Sequence, residues 1–236
     1  MPPSPALLVR APRPALTVAT ALAAAGALVL ALVLALVVGL GGSTAPAQAV
    51  EGVTTTQVTT IRPVTHAGEP APGWSVERES GSVDCDGAAP SSTARGIAAC
   101  YPTAIGVRAC FLSSHRTVLC VRDVAGHRLV RLAYTGDFPS DVAAPPVPQP
   151  LRATLKDGDV CLARVGGAWS SPPQRPSWVG LASCARDGGV YGPGSGDGVD
   201  RSRQPWRVWT WAGGRDDRLV RREVARVYVV GYAREP

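Results

Sequence analysis

The sequence is poor in lysine, phenylalanine and methionine. Lys156 is the single lysine, and the 236 residues include only two phenylalanines and one methionine. Charged residues make up only 18% of the chain, whereas glycine occurs 26 times and proline 22 times. That balance argues against long helices and favours many short strands joined by turns. Because phenylalanine is so scarce, six tryptophans and five tyrosines supply most of the large apolar side chains.

The short motifs of common catalytic and metal sites are also absent. The sequence contains no G-x-S-x-G, H-E-x-x-H or C-x-x-C, and His66, His115 and His127 are not spaced as ligand pairs. The glycine-rich stretch 192–200 is neither a nucleophile elbow nor a Walker loop. We therefore expect no metal and no cofactor, and the sequence favours a non-catalytic function over an enzymatic one.

One long stretch, residues 15–40, carries no charge and is almost purely aliphatic in its second half. As a helix it reaches roughly 39 Å, more than the ~30 Å of bilayer hydrocarbon. Arg10 and Arg13 precede it, so residues 1–14 are predicted to be a cytoplasmic tail. The prediction is a single-pass signal anchor in the cell membrane with all later residues extracytoplasmic. The alternative is a signal peptide cleaved after Ala49, which ends an A-x-A site and would release a secreted domain.

Residues 41–73 are rich in threonine and proline and are predicted to be a tether between the membrane and the folded domain. An alternative for its middle part is an extended strand, because residues 53–61 contain many β-branched side chains. The folded extracytoplasmic domain is predicted to occupy residues 74–236, beginning at Trp74.

All six cysteines follow the apolar segment, and an even count in an oxidising compartment indicates three disulfides. Residues 107–112 and 117–122 have the pattern of a hairpin that places Cys110 opposite Cys120, within disulfide range. Six cysteines allow 15 pairings, and hairpin geometry and short loops favour the sequential one. The predicted bonds are Cys85–Cys100, Cys110–Cys120 and Cys161–Cys184.

Turn signals divide the remaining chain into strands. A second hairpin is predicted over 151–165 around Asp157-Gly158, and later strands over 178–185, 206–211 and 219–232. A short helix is predicted at 94–99, after Pro90-Ser91-Ser92-Thr93. The predicted fold is mainly β, a small disulfide-stapled antiparallel sheet or partly closed barrel preceded by one transmembrane helix.

The C-terminal part combines aromatic and basic side chains. Arginine can stack on tryptophan, and the exported part keeps a mild basic excess even though every acidic residue follows the apolar segment. An aromatic platform with basic neighbours suits an anionic envelope polymer or another envelope protein, whereas an exported domain rarely meets nucleic acid. The candidate binding residues are Trp206, Arg207, Trp209 and Trp211.

The first predicted hairpin carries a resemblance. Ala109-Cys110-Phe111-Leu112-Ser113-Ser114 followed by Val118-Leu119-Cys120-Val121-Arg122-Asp123 resembles the "S-G-N-I-G-C … R-C-D" hairpin of uncharacterised exported domains of actinobacteria. Their later "C … G-V-x-C … G-H-G-F" segment is similar to Cys184, Gly189-Val190 and 196–199. Tyr191-Gly192 stands where that pattern has a cysteine, and Asp197 where it has a histidine. The resemblance implies an extracytoplasmic location and a style of fold, and no activity.

These observations favour a membrane-anchored, non-catalytic binding module of the cell envelope. Two alternatives remain at this point. One is an exported hydrolase that uses a carboxylate pair such as Asp197 with Asp200 or Glu223. The other is a small inhibitor or regulatory ectodomain that inserts the loop 113–116 into a partner.

Overall fold

The computed structural model describes residues 52, 54–102, 108–164, 169–186, 188–194, 196–214 and 217–234. In this part of the chain all regular structure is β. The strands are β1 (Gln57–Thr65), β2 (Ser75–Ala88), β3 (Ile97–Tyr101), β4 (Cys110–Ser113), β5 (Thr117–Asp123), β6 (Arg128–Thr135), β7 (Arg152–Leu155), β8 (Val160–Ala163), β9 (Trp178–Cys184), β10 (Gly189–Pro193), β11 (Val199–Asp200), β12 (Arg207–Trp211) and β13 (Val220–Ala233).

The strands form two closed assemblies. β2 to β6 pair in chain order, and β2 also pairs with β6, which closes a five-stranded barrel. β13, β7, β8, β9, β10 and β12 pair in that order, and β12 pairs again with β13, which closes a six-stranded ring. β1 adds to β13 and β11 adds to β12. The prediction of a mainly β fold is confirmed. The sequence predicted an antiparallel sheet or a partly closed barrel, and the structure has two closed assemblies.

Two strand pairs are parallel, although the sequence analysis anticipated an antiparallel sheet. β2 lies parallel to β6, and β1 lies parallel to β13, with Gln57 opposite Arg226 at one end and Thr65 opposite Ala233 at the other. Gln57–Thr65 is therefore part of the sheet, and of the two alternatives for this stretch the structure has the strand. The physical reason is that its β-branched side chains suit a ladder with β13, where Val64 is fully buried. The boundary predicted at Trp74 accordingly moves toward the N-terminus.

The three predicted disulfides are confirmed. Each joins directly opposed residues of neighbouring strands, at Cα–Cα distances of 4.0, 4.0 and 3.9 Å. Two bonds lie in the five-stranded barrel, between β2 and β3 and between β4 and β5, and the third joins β8 to β9 in the ring. No cysteine among the described residues is free.

Three apolar clusters form the core. One takes residues from all five barrel strands, including both disulfides, and another takes residues from all six ring strands around Leu155 and Val224. The third contains Phe111 and Leu119 of the barrel together with Val64 of β1 and Val230 of β13. This third cluster packs the barrel strands against the β1–β13 pair.

The predicted helix at 94–99 is wrong. Residues 97–101 form β3, whose Ile97 to Cys100 are all buried. Alanine has the highest helix propensity, but propensity differences amount to less than about 1 kcal/mol per ordinary residue, and pairing with β2 and β4 on either side outweighs them.

The predicted tail 1–14, the predicted anchor 15–40 and the alternative cleavage site at Ala49 lie outside the described residues. Within the described part of the chain, no helix has the length and apolar character that a membrane crossing requires.

Candidate functional site

The four candidate binding residues lie on or beside β12, but they do not share one surface. Strand alternation turns Val208 and Thr210 inward, where both are buried, and leaves Arg207 and Trp209 half-buried on the outer face. Trp211 follows on the same face but is only 4% exposed. The four residues are neighbours in the sequence, but in the structure they make different contacts.

Trp211 belongs to an aromatic layer that covers the outer face of β9, β10 and β12. Its indole Nε1 donates to the Gly214 carbonyl at 3.1 Å, and its ring meets Tyr191 edge-on at 5.4 Å between centroids. Tyr191 in turn contacts Trp169, at 6.0 Å. A Cβ on Gly180 would stand 2.0 Å from the Trp169 ring, so the absence of a side chain there makes room for the indole. These contacts give Trp211 a packing role.

Trp206 and Arg207 are also engaged within the fold. The Arg201 guanidinium lies 4.8 Å from the Trp206 ring centroid, and the Trp206 N–H donates to Thr56 Oγ1 at 2.7 Å. Arg207 pairs with Glu223 at 3.3 Å, and the same carboxylate accepts from Lys156 at 2.9 Å. Neither residue borders the groove that contains Trp209.

Trp209 and Trp178 line a surface groove of about 330 Å³, together with Gln174, Arg175 and Leu219. We call this the Trp178–Trp209 groove. The two indoles meet edge to face, with centroids 6.2 Å apart. Their strands, β9 and β12, lie on either side of β10, on which Pro193 opposes Trp178 and Tyr191 opposes Trp209.

Each tryptophan of the groove has an arginine over its ring. The Arg221 guanidinium lies 5.4 Å from the Trp209 centroid, and Arg175 lies 5.7 Å from that of Trp178. Arg221 also pairs with Asp200. Arg175 is exposed, and among the described residues its guanidinium has no carboxylate partner. The groove therefore offers two aromatic rings and a positive charge that no acidic side chain neutralises within the described part of the chain.

The loop before β9 positions Arg175. The Arg175 N–H donates to Pro172 O at 2.8 Å, and the Trp178 N–H donates to Arg175 O at 3.0 Å, so two successive turns lead into the strand. The Gln174 side-chain amide donates to Asp217 O at 3.0 Å and ties this loop to the connection between β12 and β13. Three separate segments thus meet at the groove.

Each carboxylate of the hydrolase alternative is paired with a basic side chain. Asp197 is bound by Arg201, Asp200 by Arg221, and Glu223 by both Lys156 and Arg207. Hydrogen bonds from Ser202 lower the pKa of Asp200, and a hydrogen bond from Lys156 lowers that of Glu223. A general acid of a glycosidase needs a raised pKa, so this arrangement does not favour hydrolysis.

Two of the three histidines have rings that stack on other aromatic side chains. His66 stacks on Tyr232 with centroids 4.1 Å apart, and His127 stacks on Trp74 at 4.9 Å. His115 lies at the tip of the β4–β5 hairpin with a φ of 55°. The following residue, Arg116, donates to Gly136 O at 2.9 Å, so the loop 113–116 is tied to the barrel.

Four residues near Trp209 were not predicted from the sequence: Gln174, Arg175, Trp178 and Arg221. A weak signal existed, because Arg175 and Trp178 stand within one proline-rich stretch. Their proximity to Trp209 depends on β10 lying between β9 and β12, which no local pattern reveals.

Comparisons of the chain with protein-family models, with curated proteins and with solved structures find no match. The function is therefore inferred from the geometry of the groove.

Proposed function

We propose that this chain is a membrane-anchored, extracytoplasmic binding module and that its Trp178–Trp209 groove binds an anionic glycan of the cell envelope. The observation that carries the proposal is the exposed Arg175 guanidinium beside two tryptophan rings, without a carboxylate partner among the described residues. Indole rings offer apolar faces of the size of a sugar ring, and a guanidinium binds a carboxylate or phosphate with two parallel hydrogen bonds.

The proposed location is supported by two features of the chain. Residues 15–40 have the length and uncharged character of a membrane anchor, with the alternative that cleavage after Ala49 releases the domain. Three disulfides are typical of proteins in oxidising compartments. The resemblance to exported actinobacterial domains agrees with the same location.

The size of the groove indicates a weak individual interaction. Its 330 Å³ lies at the lower end of the roughly 300–1,000 Å³ common for ligand sites. A membrane anchor would display many copies along one polymer, so a weak single site gains strength through avidity. This suits a protein that holds or follows an envelope polymer and does not transform it.

Binding can be tested with the full chain in detergent micelles and with two probes, sodium polygalacturonate and uncharged dextran. We expect polygalacturonate to bind and dextran to bind at least tenfold more weakly, or about 1.4 kcal/mol. Arg175→Gln should weaken polygalacturonate binding by about 10- to 100-fold, because a hydrogen bond to a charged group contributes about 1.5–3 kcal/mol. Trp209→Ala should weaken it about tenfold or more.

Arg203→Gln is the matched control, since Arg203 is exposed, lies outside the groove and carries the same charge. It should leave binding within about twofold of wild type. Equal losses in Arg203→Gln and Arg175→Gln would show that the net charge of the protein, and not the groove, governs binding. Unchanged binding in both groove variants would contradict the proposal.

A further inference from the structure

A second site lies on the five-stranded barrel, away from the groove. A surface pocket of about 430 Å³ opens there, lined by side chains of β2 and β6 and of the β4–β5 hairpin. Two arginines, Arg78 of β2 and Arg131 of β6, border it. We call it the Arg78–Arg131 pocket.

The two arginines are direct partners in the parallel ladder of β2 and β6. Both side chains therefore leave the sheet on the same face. Val130 and Leu132, on either side of Arg131, belong to the apolar cluster inside the barrel, so this face is the outer one. Like charges on directly opposed residues destabilise a sheet, so this position favours a negative charge between the two guanidinium groups.

Neither guanidinium has a carboxylate partner in the described part of the chain. Arg131 Nη1 donates to Ser113 Oγ at 3.0 Å and to Thr117 Oγ1 at 3.1 Å, and these hydroxyls position the group without neutralising it. Arg78 is exposed, and its guanidinium makes no hydrogen bond or ion pair with any described residue. Both groups therefore keep donors for a ligand.

The acidic side chains at the pocket do not neutralise this pair. Glu79, the residue after Arg78, forms its ion pair with Arg122. Glu69 also borders the pocket, but it is exposed, and its carboxylate has no ion-pair partner among the described residues. Two guanidinium groups thus face one free carboxylate, and the pocket keeps a positive excess.

A bulge in β2 lies directly beside the arginine pair. The register of β2 and β6 is interrupted after Arg78 and Arg131, where residues 79–81 of β2 stand opposite Leu132 alone. Gly81, with a φ of 135°, is part of this bulge. Bulges are common next to functional sites, where they redirect side chains.

The tip of the β4–β5 hairpin adds further polar groups. Ser114 and His115 border the pocket and are exposed, and a hydrogen bond from the Thr117 N–H to Ser114 O at 3.2 Å closes their turn. Together with two guanidinium groups they offer more donors than the two oxygens of a carboxylate can use. A phosphate monoester has three terminal oxygens and about 1.5–2 negative charges at neutral pH.

We propose that the Arg78–Arg131 pocket binds a phosphate monoester of a small polar molecule. The phosphate oxygens accept hydrogen bonds from both guanidinium groups, and the rest of the molecule lies toward Ser114 and His115. A volume of about 430 Å³ suits a ligand of the size of a sugar phosphate. The pocket shares no lining residue with the Trp178–Trp209 groove.

The first test is isothermal titration calorimetry of the full chain in nonionic detergent micelles, in a buffer free of phosphate. The probes are glycerol 1-phosphate, uncharged glycerol, and dimethyl phosphate, a diester with a single negative charge. We expect saturable binding of glycerol 1-phosphate, binding of dimethyl phosphate weaker by about tenfold or more, and no binding of glycerol. Absence of glycerol 1-phosphate binding, or equal binding of dimethyl phosphate, would overturn the proposal.

Arg78→Gln is the most direct variant, because the Arg78 guanidinium makes no contact with the described residues that the fold would lose. It should weaken glycerol 1-phosphate binding by about tenfold or more, since a hydrogen bond to a charged group contributes more than a neutral one. Without ligand, its thermal midpoint should equal or exceed that of wild type, because the repulsion between Arg78 and Arg131 is removed. Full binding in this variant, or a lower midpoint, would contradict the proposal.

Glu69→Gln tests the sign of the charge that the pocket accepts. The free carboxylate of Glu69 repels an anion, so its removal should strengthen glycerol 1-phosphate binding by about twofold or more. Weaker binding in Glu69→Gln would show that this carboxylate helps to hold the ligand, which would overturn the assignment of an anion site.

Arg95→Gln is the matched control, since Arg95 is exposed, has no partner among the described residues and does not line the pocket. It should leave glycerol 1-phosphate binding within about twofold of wild type. Equal losses in Arg95→Gln and Arg78→Gln would show that net charge governs binding, and would overturn the proposal.

A cross-comparison keeps this site apart from the proposed function. Arg175→Gln, which alters the groove, should leave glycerol 1-phosphate binding unchanged, and Arg78→Gln should leave polygalacturonate binding unchanged. The two sites can therefore fail independently. The comparison of the three probes on the wild-type chain remains decisive even where a variant does not fold.

Discussion

Asp159 is the clearest case of a single side chain on which the ring depends. It is fully buried, and its Oδ1 accepts hydrogen bonds from the Val160 N–H at 2.8 Å and the Arg186 N–H at 3.1 Å. Its Oδ2 pairs with Arg222 of β13 at 3.0 Å. One carboxylate thus holds the β7–β8 turn to β13 and to the segment after β9.

Removal of the Asp159 carboxylate should destabilise the folded protein. We expect Asp159→Ala to lower the free energy of unfolding by about 3–5 kcal/mol, because it leaves Arg222 with less compensation in a mostly buried position. Asp157→Ala is the control: Asp157 also pairs with Arg222, but its side chain is 50% exposed, and the loss should be about 1 kcal/mol or less. Urea denaturation with intact disulfides measures both, and equal losses would contradict the assignment.

Tyr232 is a second residue whose environment makes a prediction, here about alkaline pH. Its hydroxyl donates to Gly96 O at 2.9 Å, its ring meets Phe111 edge-on, and burial raises its pKa above the ordinary 10.0. The neutral phenol is therefore favoured in the folded protein. Its contribution to stability is complete below about pH 10 and decreases as pH rises through the raised pKa.

Tyr232→Phe should accordingly make unfolding less sensitive to pH in this range. Urea midpoints recorded on both sides of pH 10 should decline less steeply in the variant than in wild type. Burial raises the pKa of Tyr191 as well, so part of the decline should remain in the variant. An identical pH slope in the two proteins would contradict the assignment.

At the scale of elements, the aromatic layer over β9, β10 and β12 depends on two glycines. A Cβ on Gly180 would lie 2.0 Å from the Trp169 ring, and a Cβ on Gly189 would lie 2.5 Å from it. Real Cβ atoms do not approach so closely, so the absence of a side chain at both positions makes room for the indole. Trp169 then supports Tyr191 and, through it, Trp211.

Gly180→Ala should displace Trp169 and lower the free energy of unfolding by about 1–3 kcal/mol. Gly194→Ala is a matched control, because the nearest atom to its Cβ, on Val179, is 4.0 Å away. Chemical denaturation and tryptophan fluorescence together report stability and the position of the indole. A neutral effect of Gly180→Ala would show that the layer can shift without cost.

The elements also show how far local patterns reach. The hairpins around 113–116 and around Asp157-Gly158 were predictable, because turn residues lie between alternating runs, and the opposed cysteines followed from that register. The β1–β13 pair was not predictable, because it joins segments about 170 positions apart in the chain and no local sequence pattern indicates such a pairing. The predicted helix at 94–99 failed because alanine-rich composition says little about a strand buried between two others.

The candidate site shows the same limit. Trp209 was predicted from its aromatic and basic neighbours in sequence, but its partners in space come from the loop before β9 and from β13. Trp211, only two residues later, is part of the aromatic layer and is buried. The composition predicted an aromatic and basic surface, but which residues lie together on it depends on the order of the strands in the sheet.

At the scale of the whole molecule, the proposed function requires that the domain lies in an oxidising compartment outside the cytoplasm. Two closed β assemblies are stapled by three disulfides, and loops of this length stabilise a domain by roughly 3 kcal/mol each in the chain-entropy model. That is a large share of a net stability of about 5–15 kcal/mol. The proposed anchor at 15–40, the proposed glycan ligand and the disulfides all require that the domain faces an oxidising exterior.

A reporter fused after Pro236 tests this claim most directly. In intact cells we predict activity from an enzyme that functions only after export, and no activity from one that functions only in the cytoplasm. Activity of the cytoplasmic reporter alone would contradict the proposed location and, with it, the proposed envelope ligand.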